Sequence, residues 1–138
     1  MTQRTLTIVK PDAVKSGKAG AILAHLEKEG FRLVAGKKVT LSPSQARAFY
    51  AVHRERPFFE GLVRFMTEGP VWVVALERDD AVTGLRGVMG ATDSKKAEPG
   101  TIRNLYGTDI ERNAIHGSDS PENAAREIGF FFAESELL

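Results

Sequence analysis

The sequence predicts an α+β domain: four strands in one antiparallel sheet, with helices packed on one face of it. Three observations point there. β-branched or continuously apolar runs alternate with stretches whose apolar residues recur at helical spacing. Two helices open on a serine followed by a proline, at Ser42-Pro43 and Ser120-Pro121. The chain of 138 residues, 42% of them hydrophobic, suits one compact core spanning residues 1–138 rather than two.

The elements follow in order. Thr5 to Lys10 (TLTIVK) reads as a β-branched strand that stops at Pro11, which has no N–H for a ladder, so Lys10 lies at a strand end. From about Lys18, AGAILAHLEKEG sets Ile22, Leu23 and Leu26 at helical spacing, and Gly30 closes that helix. Phe31 to Leu41 alternates partly and reads as the second strand. Ser42-Pro43 then caps a helix running to about His53, with Tyr50 near its end. Pro57 starts a short helix carrying Phe58, Phe59, Leu62, Val63 and Met66, which Gly69-Pro70 ends. Val71 to Leu76 (VWVVAL) is too continuously apolar for a half-exposed strand and is expected at the sheet centre.

Asp79-Asp80 offers an N-cap for a helix through Val88, closed by Gly90 and carrying Arg86. From Gly90 to Arg112 no periodicity shows for about twenty residues, a length of structureless loop that in compact domains is usually functional. Asn113 to His116 is a very short strand, and Ser120-Pro121-Glu122 opens a last helix to about Phe131. The order β-α-β-αα-β-α-β-α fits the split βαβ, or ferredoxin-like, plan better than a doubly wound parallel sheet, with a long functional loop near residues 91–112.

Charge is uneven. The first sixty residues hold 11 Lys/Arg against 5 Asp/Glu and the remainder 8 against 13, for a net charge of +1. No run of five like charges occurs, so the halves are read as neutralising each other in the fold, and nucleic acid is not expected as the main ligand. Small phosphate ligands need only a few well-placed cations and stay open. No apolar run approaches the roughly 20 residues of a membrane span, and the start has no signal-peptide h-region. With no cysteine there is no disulfide, thiolate nucleophile or Cys-built metal site, and we expect a soluble, unexported, cytoplasmic protein.

Familiar sites are missing, and each absence removes a class. There is no G-x-x-x-x-G-K-[ST] and no G-x-G-x-x-G. Gly84, Gly87 and Gly90 are spaced instead for a small-residue helix face. H-E-x-x-H and G-x-S-x-G are likewise absent. Of the three histidines, His25 sits in an amphipathic helix and reads as surface or boundary. His53 ends a helix beside Arg54, Glu55 and Arg56 and reads as a cap or dipole partner. His116 lies between a strand and the tight Gly117-Ser118-Asp119 turn, where a side chain can face a cleft. A neutral imidazole is nucleophilic at one nitrogen when the other carries a held proton. Glu127, 11 residues on, could return on the last helix to hold it, or could sit on a solvated face. Lys10, Arg86 and Arg103 suit phosphate binding, arginine because it binds bidentately and cannot deprotonate, though each singly reads as a surface charge. Taken alone, Phe58 and Tyr50 read as core packing rather than a nucleobase platform.

Asn113-Ala-Ile-His-Gly-Ser-Asp119 resembles the active-site signature of nucleoside diphosphate kinases, N-x-x-H-G-S-D. In family order come also Thr7-Ile-Val-Lys-Pro-Asp12, His53-Arg-Glu-Arg-Pro-Phe-Phe59, Gly69-Pro70, Gly90-Ala-Thr92 and Pro99-Gly-Thr-Ile-Arg103. The resemblance spans nearly the whole chain. It implies ping-pong transfer of the γ-phosphate from a nucleoside triphosphate, mainly ATP, to a nucleoside diphosphate, through a phosphohistidine on the δ nitrogen of His116. By the same resemblance Glu127 holds the other ring nitrogen and Ser118 hydrogen-bonds Glu127. Tyr50 lies beside His116, and Lys10 and Asn113 meet the sugar hydroxyls, Lys10 also the phosphates. Arg86, Thr92 and Arg103 follow the phosphate chain, Phe58 stacks on the base, and Leu62 and Ile110 line its slot. Mg2+ bridges phosphate oxygens rather than entering a protein cage, in keeping with the lack of a carboxylate cluster at metal spacing.

Stacking rather than edge hydrogen bonds implies broad base tolerance, since every base has a π face. If the ribose 3′ hydroxyl folds towards the phosphates as in the family, dideoxynucleotides should show slow single-turnover transfer. The segment Asn104-Leu105-Tyr106-Gly107 departs from the common Gly-Asp-Phe or Ala-x-Phe, and the chain stops at Leu138. Both bear on assembly, so a homo-oligomer is expected as either tetramer or hexamer. Two other classes compete. An RNA-binding module on the same sheet would need the RNP1 pattern, which is absent, and aromatics on strands. An inactive scaffold would not need the intact His116, Glu127, Lys10 and Arg103.

Overall fold

A computed structural model describes residues 2–138. Strand β1 (Thr2–Val9) is central, paired antiparallel along its length with β3 (Val71–Asp79) and at its end with β4 (Ile115–Gly117). Strand β2 (Arg32–Val39) flanks β3, giving the order β2-β3-β1-β4, antiparallel throughout. The helices are α1 (Pro11–Lys15), α2 (Ala19–Lys28), α3 (Pro43–Phe49), α4 (Phe59–Met66), α5 (Ala81–Met89), α6 (Ile102–Tyr106) and α7 (Pro121–Phe131). Sheet and helices together are the α+β, ferredoxin-like arrangement expected.

The helices cover both faces of the sheet, where one covered face was expected. The cause lies in the two central strands: β3 is apolar in both directions, and β1 buries Leu6 and Ile8 on one face and Thr5, Thr7 and Val9 on the other. Leu6, Ile8, Val71, Val73 and Ala75 face α3, α4 and α7 through Phe49, Val63, Phe65, Met66 and Ile128. Val9, Val74, Leu76 and Ile115 face the other helices through Ala13, Ile22, Leu26, Leu85, Met89 and Ile102. Leu6, Ile8, Ile22, Leu26, Met66 and Leu76 are wholly enclosed.

Local chemistry accounts for most element ends. Ser42 Oγ accepts from Gln45 N–H at 3.1 Å while Gln45 Oε1 accepts from Ser42 N–H at 2.9 Å, a reciprocal cap. Ser120 Oγ caps α7 by accepting from Asn123 N–H at 3.1 Å. Pro11 both ends β1 and opens α1, a short helix the sequence did not announce. Helix α3 stops at Phe49 and a 3₁₀ turn follows over Ala51–His53, so the helix expected to reach His53 is broken at Tyr50. Asp80 occupies the N-cap position of α5, but at φ +51° its side chain makes no cap bond. Gln3 Oε1 accepts from Val82 N–H at 2.9 Å instead, tying α5 to β1. Residues 91–112, read as structureless, contain a 3₁₀ turn at Ser94–Lys96 and helix α6, capped by Thr101. These pieces are each too short to show a period in sequence.

Candidate active site

His116 is the middle residue of β4, opposite Ile8 of β1. The chain reaches it through a tight turn in which Ile115 N–H donates to the Asn113 carbonyl at 2.9 Å across Ala114, whose φ is +73°. A left-handed residue with a Cβ costs about 1–2 kcal/mol. Ala114 is held there on both sides: its N–H donates to Asp12 Oδ2 at 3.2 Å, and its carbonyl accepts Lys10 N–H at 2.9 Å. Burial pushes the Asp12 carboxyl above its usual range. After His116 a glycine leaves room for α5: a Cβ on Gly117 would lie 2.7 Å from Met89 Sδ and 2.9 Å from Leu85 Cδ2, so a larger residue would have to displace those side chains. The backbone at His116 is thus gripped from β1, α1 and α5.

The ring is fixed by α7. His116 Nε2 lies 2.8 Å from Glu127 Oε1, and the same oxygen accepts from Ser118 Oγ–H at 2.8 Å. Ser118 Oγ in turn accepts Leu6 N–H at 3.3 Å, which links the carboxylate to β1. An ionised carboxylate only accepts, so in the neutral imidazole Nε2 carries the hydrogen and Nδ1 keeps its lone pair. The rings of Phe49 and Tyr50 meet the imidazole edge-on, with centroids at 5.4 and 5.8 Å. The Tyr50 hydroxyl is buried without a hydrogen-bond partner, and burial together with the nearby Glu127 charge pushes it far above the usual phenol range. Tyr50 therefore stays a neutral phenol and touches the imidazole through its ring. Ser118→Ala is expected to destabilise the fold by about 1–3 kcal/mol, because a buried carboxylate loses a charge-assisted bond. Denaturant midpoints read the loss, and an unchanged midpoint would remove Ser118 from this network.

Next to the imidazole sits an unusual group of cations. Lys10 is 7% exposed, and its Nζ donates to Asn113 Oδ1 at 2.8 Å. Burial first, and the Arg103 charge second, bring the Lys10 amine down to about 8. Asn113 Nδ2 donates to the carbonyls of Thr92 at 3.0 Å and Ile110 at 3.2 Å, so one amide joins β1 to both ends of the 91–112 segment. Arg103 donates through Nη1 to Gly90 O at 3.1 Å and through Nη2 to Ile115 O at 2.8 Å, while its buried Nε has no partner. Burial and the neighbouring Arg86 bring Arg103 down to about 10. Arg86 itself is exposed and makes only a long 3.4 Å contact with Gly117 O. Like charges gathered with unused donors await an anion.

These groups line one cleft of about 670 Å³. Of the residues singled out from sequence, Lys10, Tyr50, Phe58, Leu62, Arg86, Thr92, Arg103, Ile110, Asn113, His116 and Glu127 all line it. Ser118 lies behind, wholly buried. Phe58 and Ile110 line the cleft as exposed apolar residues, 48% and 64% accessible. Ile110 rides a turn in which Asp109 Oδ1 accepts from the N–H groups of Glu111 and Arg112. A bidentate ion pair, Arg112 to Glu68 at 2.7 and 3.1 Å, fastens this turn next to α4. Sequence reading overlooked Asp12, Phe49, and Arg126, whose guanidinium donates to the carbonyls of Ala48 at 2.8 Å and Phe49 at 3.1 Å. Their signals were proximity alone: Asp12 ends the Lys10-Pro-Asp motif, and the others adjoin Tyr50 and Glu127.

The family described as nucleoside diphosphate kinase matches residues 3–137. A nucleoside diphosphate kinase of Acidiphilium cryptum is 56% identical over 137 residues, covering 99% of this chain and 98% of that one. The crystal form C222 of the Aquifex aeolicus nucleoside diphosphate kinase superposes with a TM-score of 0.98 at 48% identity over the full length of both chains. The halophilic nucleoside diphosphate kinase from Halobacterium salinarum, solved in complex with CDP, does so at 0.95 and 44%, covering all of this chain and 92% of that one.

Proposed function

This chain belongs to the nucleoside diphosphate kinase family, and on that premise we propose how its residues divide the work. The enzyme moves the γ-phosphate of a nucleoside triphosphate, mainly ATP, to a nucleoside diphosphate in two half-reactions through a phosphohistidine, with broad base and sugar tolerance. In the first, the Nδ1 lone pair of His116 attacks the γ-phosphorus, the bond to the β-γ bridging oxygen breaks, and the diphosphate leaves with that electron pair. The Nε2 proton stays on its bond to Glu127, whose negative charge balances the positive charge that develops on the ring. The second half-reaction runs the same steps backward with another diphosphate. The 2.8 Å contact between Nε2 and Glu127 carries this reading, because it selects the nitrogen left to react.

Phosphoryl transfer asks the protein mainly for position and charge. Arg86, Thr92 and Arg103 hold the phosphates, and their place together in the lining of the cleft supports that role. Lys10 and Asn113 take the sugar hydroxyls, Lys10 also reaching phosphate. Tyr50 buttresses the imidazole and Ser118 orients Glu127. The base stacks on Phe58 between Leu62 and Ile110. Mg2+ travels with the nucleotide, supplying charge neutralisation on the phosphate oxygens. Among the described residues no group of three or more His, Cys, Asp or Glu side chains could hold a metal ion. Residues 1–138 act as one catalytic domain in the cytoplasm, and among the described residues no helix is long and apolar enough to cross a membrane. The working form is a homo-oligomer, tetramer or hexamer. Sedimentation decides the number.

The test is to incubate the protein with Mg2+ and γ-labelled ATP. Label should enter the chain, resist alkali, be lost in acid and leave as GTP when GDP is added. ATP binding without label would favour the inactive scaffold.

The Lys10 amine adds a pH dependence. Between about pH 8 and the ordinary lysine range the folded chain holds fewer protons than the unfolded chain at this group. Its contribution to stability therefore rises with pH across that window and is lost as pH falls through 8. Nucleotide phosphate favours the charged amine, so binding above pH 8 should take up protons, and KM should climb. Calorimetry in buffers of different ionisation heat measures the uptake, and buffer-independent heats would contradict it.

A further inference from the structure

We propose that Lys10 is a site of covalent acylation by small acyl phosphates, with the phosphate held on Arg86 and Arg103 while the amine attacks the acyl carbon. This rests on the assignment of those two arginines to phosphate. The geometry is that of a nucleophile built next to an anion site. Lys10 Nζ hydrogen-bonds a neutral partner, Asn113 Oδ1 at 2.8 Å, lies 5.9 Å from the centroid of the Phe65 ring, and among the described residues no carboxylate forms an ion pair with it. It lines the same cleft as Arg86 and Arg103. The charged groups around it come from every neighbouring element: Asp12 on α1 and Glu111 in the 108–112 turn favour its charge, while burial and Arg103 on α6 oppose it more strongly, leaving the amine at about 8. A deprotonated amine that donates one hydrogen to Asn113 keeps its lone pair for the cleft.

The reaction balances without another reagent. The Lys10 nitrogen forms a bond to the acyl carbon, the carbon–oxygen bond to phosphate breaks, inorganic phosphate leaves with the electron pair, and the amine releases one proton to solvent. The product is a neutral amide in place of the cation. It removes the positive charge that would meet a nucleotide and fills space in the cleft, so the acylated chain loses nucleotide binding. The same reagent offers His116 a phosphorus atom, whose capture would yield phosphohistidine and a free carboxylate. The two fates differ in mass and in the residue that carries the adduct.

Intact mass and peptide mapping of the full chain treated with acetyl phosphate separate them. Lys15, Lys18 and Lys28 are exposed and serve as internal references. Lys10 should gain one acetyl group about tenfold faster than these, since far more of its amine is uncharged at neutral pH. The advantage should follow a midpoint near pH 8, shrink with acetic anhydride, which carries no phosphate, and vanish with ADP present. Lys10→Arg should keep the cation and show no acetylated peptide at this position. Acetylation no faster than at the references, an adduct only on His116, or acetylation that ADP leaves untouched would each overturn the proposal. If ATP still forms phosphohistidine in that case, the acylation inference alone has failed. If it does not, the nucleotide reading has failed with it.

Discussion

His116→Ala is expected to abolish phosphoenzyme formation and to lower steady-state transfer by about 10⁴-fold or more, the scale on which loss of a covalent nucleophile is felt. The reason lies in how little else in the cleft can take its place. Among the residues lining the cleft, the Lys10 amine, at about 8, is mostly charged at neutral pH, and Tyr50 is a buried phenol held neutral. Glu127 is the remaining candidate, but its Oε1 sits behind the ring and accepts from Ser118. Nucleotide affinity should change little, because Lys10, Arg86, Arg103, Asn113 and Phe58 are placed by β1, α5, α6, the 91–112 segment and α4 rather than by the imidazole. Equilibrium binding of ADP measured beside single-turnover labelling separates the two effects. Residual label of the same alkali stability in the variant would show that another residue is the acceptor. A parallel loss of binding would show that the substitution had disturbed the cleft as a whole.

Phe65→Ala should produce the largest loss of stability, about 3–5 kcal/mol. Phe65 is 2% exposed within the cluster on the α3-α4-α7 side of the sheet, where little space is open for the cavity to collapse. It also has cations near its ring, the Arg112 guanidinium at 4.9 Å from the centroid and Lys10 Nζ at 5.9 Å. Cation–π contact with each is lost together with the packing. Since domains of this size are stable by only about 5–15 kcal/mol, the melting temperature should fall on the order of 10 °C. The truncation should raise nucleotide KM as well, because Arg112 fastens the turn that carries Ile110 and Lys10 reaches the cleft across this ring. Denaturant unfolding and steady-state kinetics test both halves. A loss below about 1 kcal/mol would mean that the surrounding helices close the cavity.

Much of the architecture was legible in sequence because it depends on neighbours in the chain. Ser42-Pro43 and Ser120-Pro121 mark helix starts through bonds that span three residues, Pro11 ends a ladder by lacking an N–H, and VWVVAL announces a strand buried on both faces. The covering of both faces was implicit in that last run. Helix α6 and the turn at Ser94–Lys96 were not legible, since single turns show no period and are held by distant partners.

The sequence alone determined the order of the four strands and of five of the seven helices, the caps at Ser42 and Ser120, and the N-x-x-H-G-S-D signature around His116. Tertiary structure alone decided the chemistry of the site. It put Lys10 and Asn113, 103 positions apart, at 2.8 Å, gave Glu127 Oε1 both the Ser118 hydroxyl and the His116 ring, and gathered Lys10, Arg86 and Arg103 on one cleft, where burial and neighbouring positive charge weaken the hold of Lys10 and Arg103 on their protons. Capping and periodicity act between residues a few positions apart and are written in local sequence. Desolvation, charge coupling and the choice of a reacting nitrogen depend on distances that exist only once the sheet has brought remote segments together.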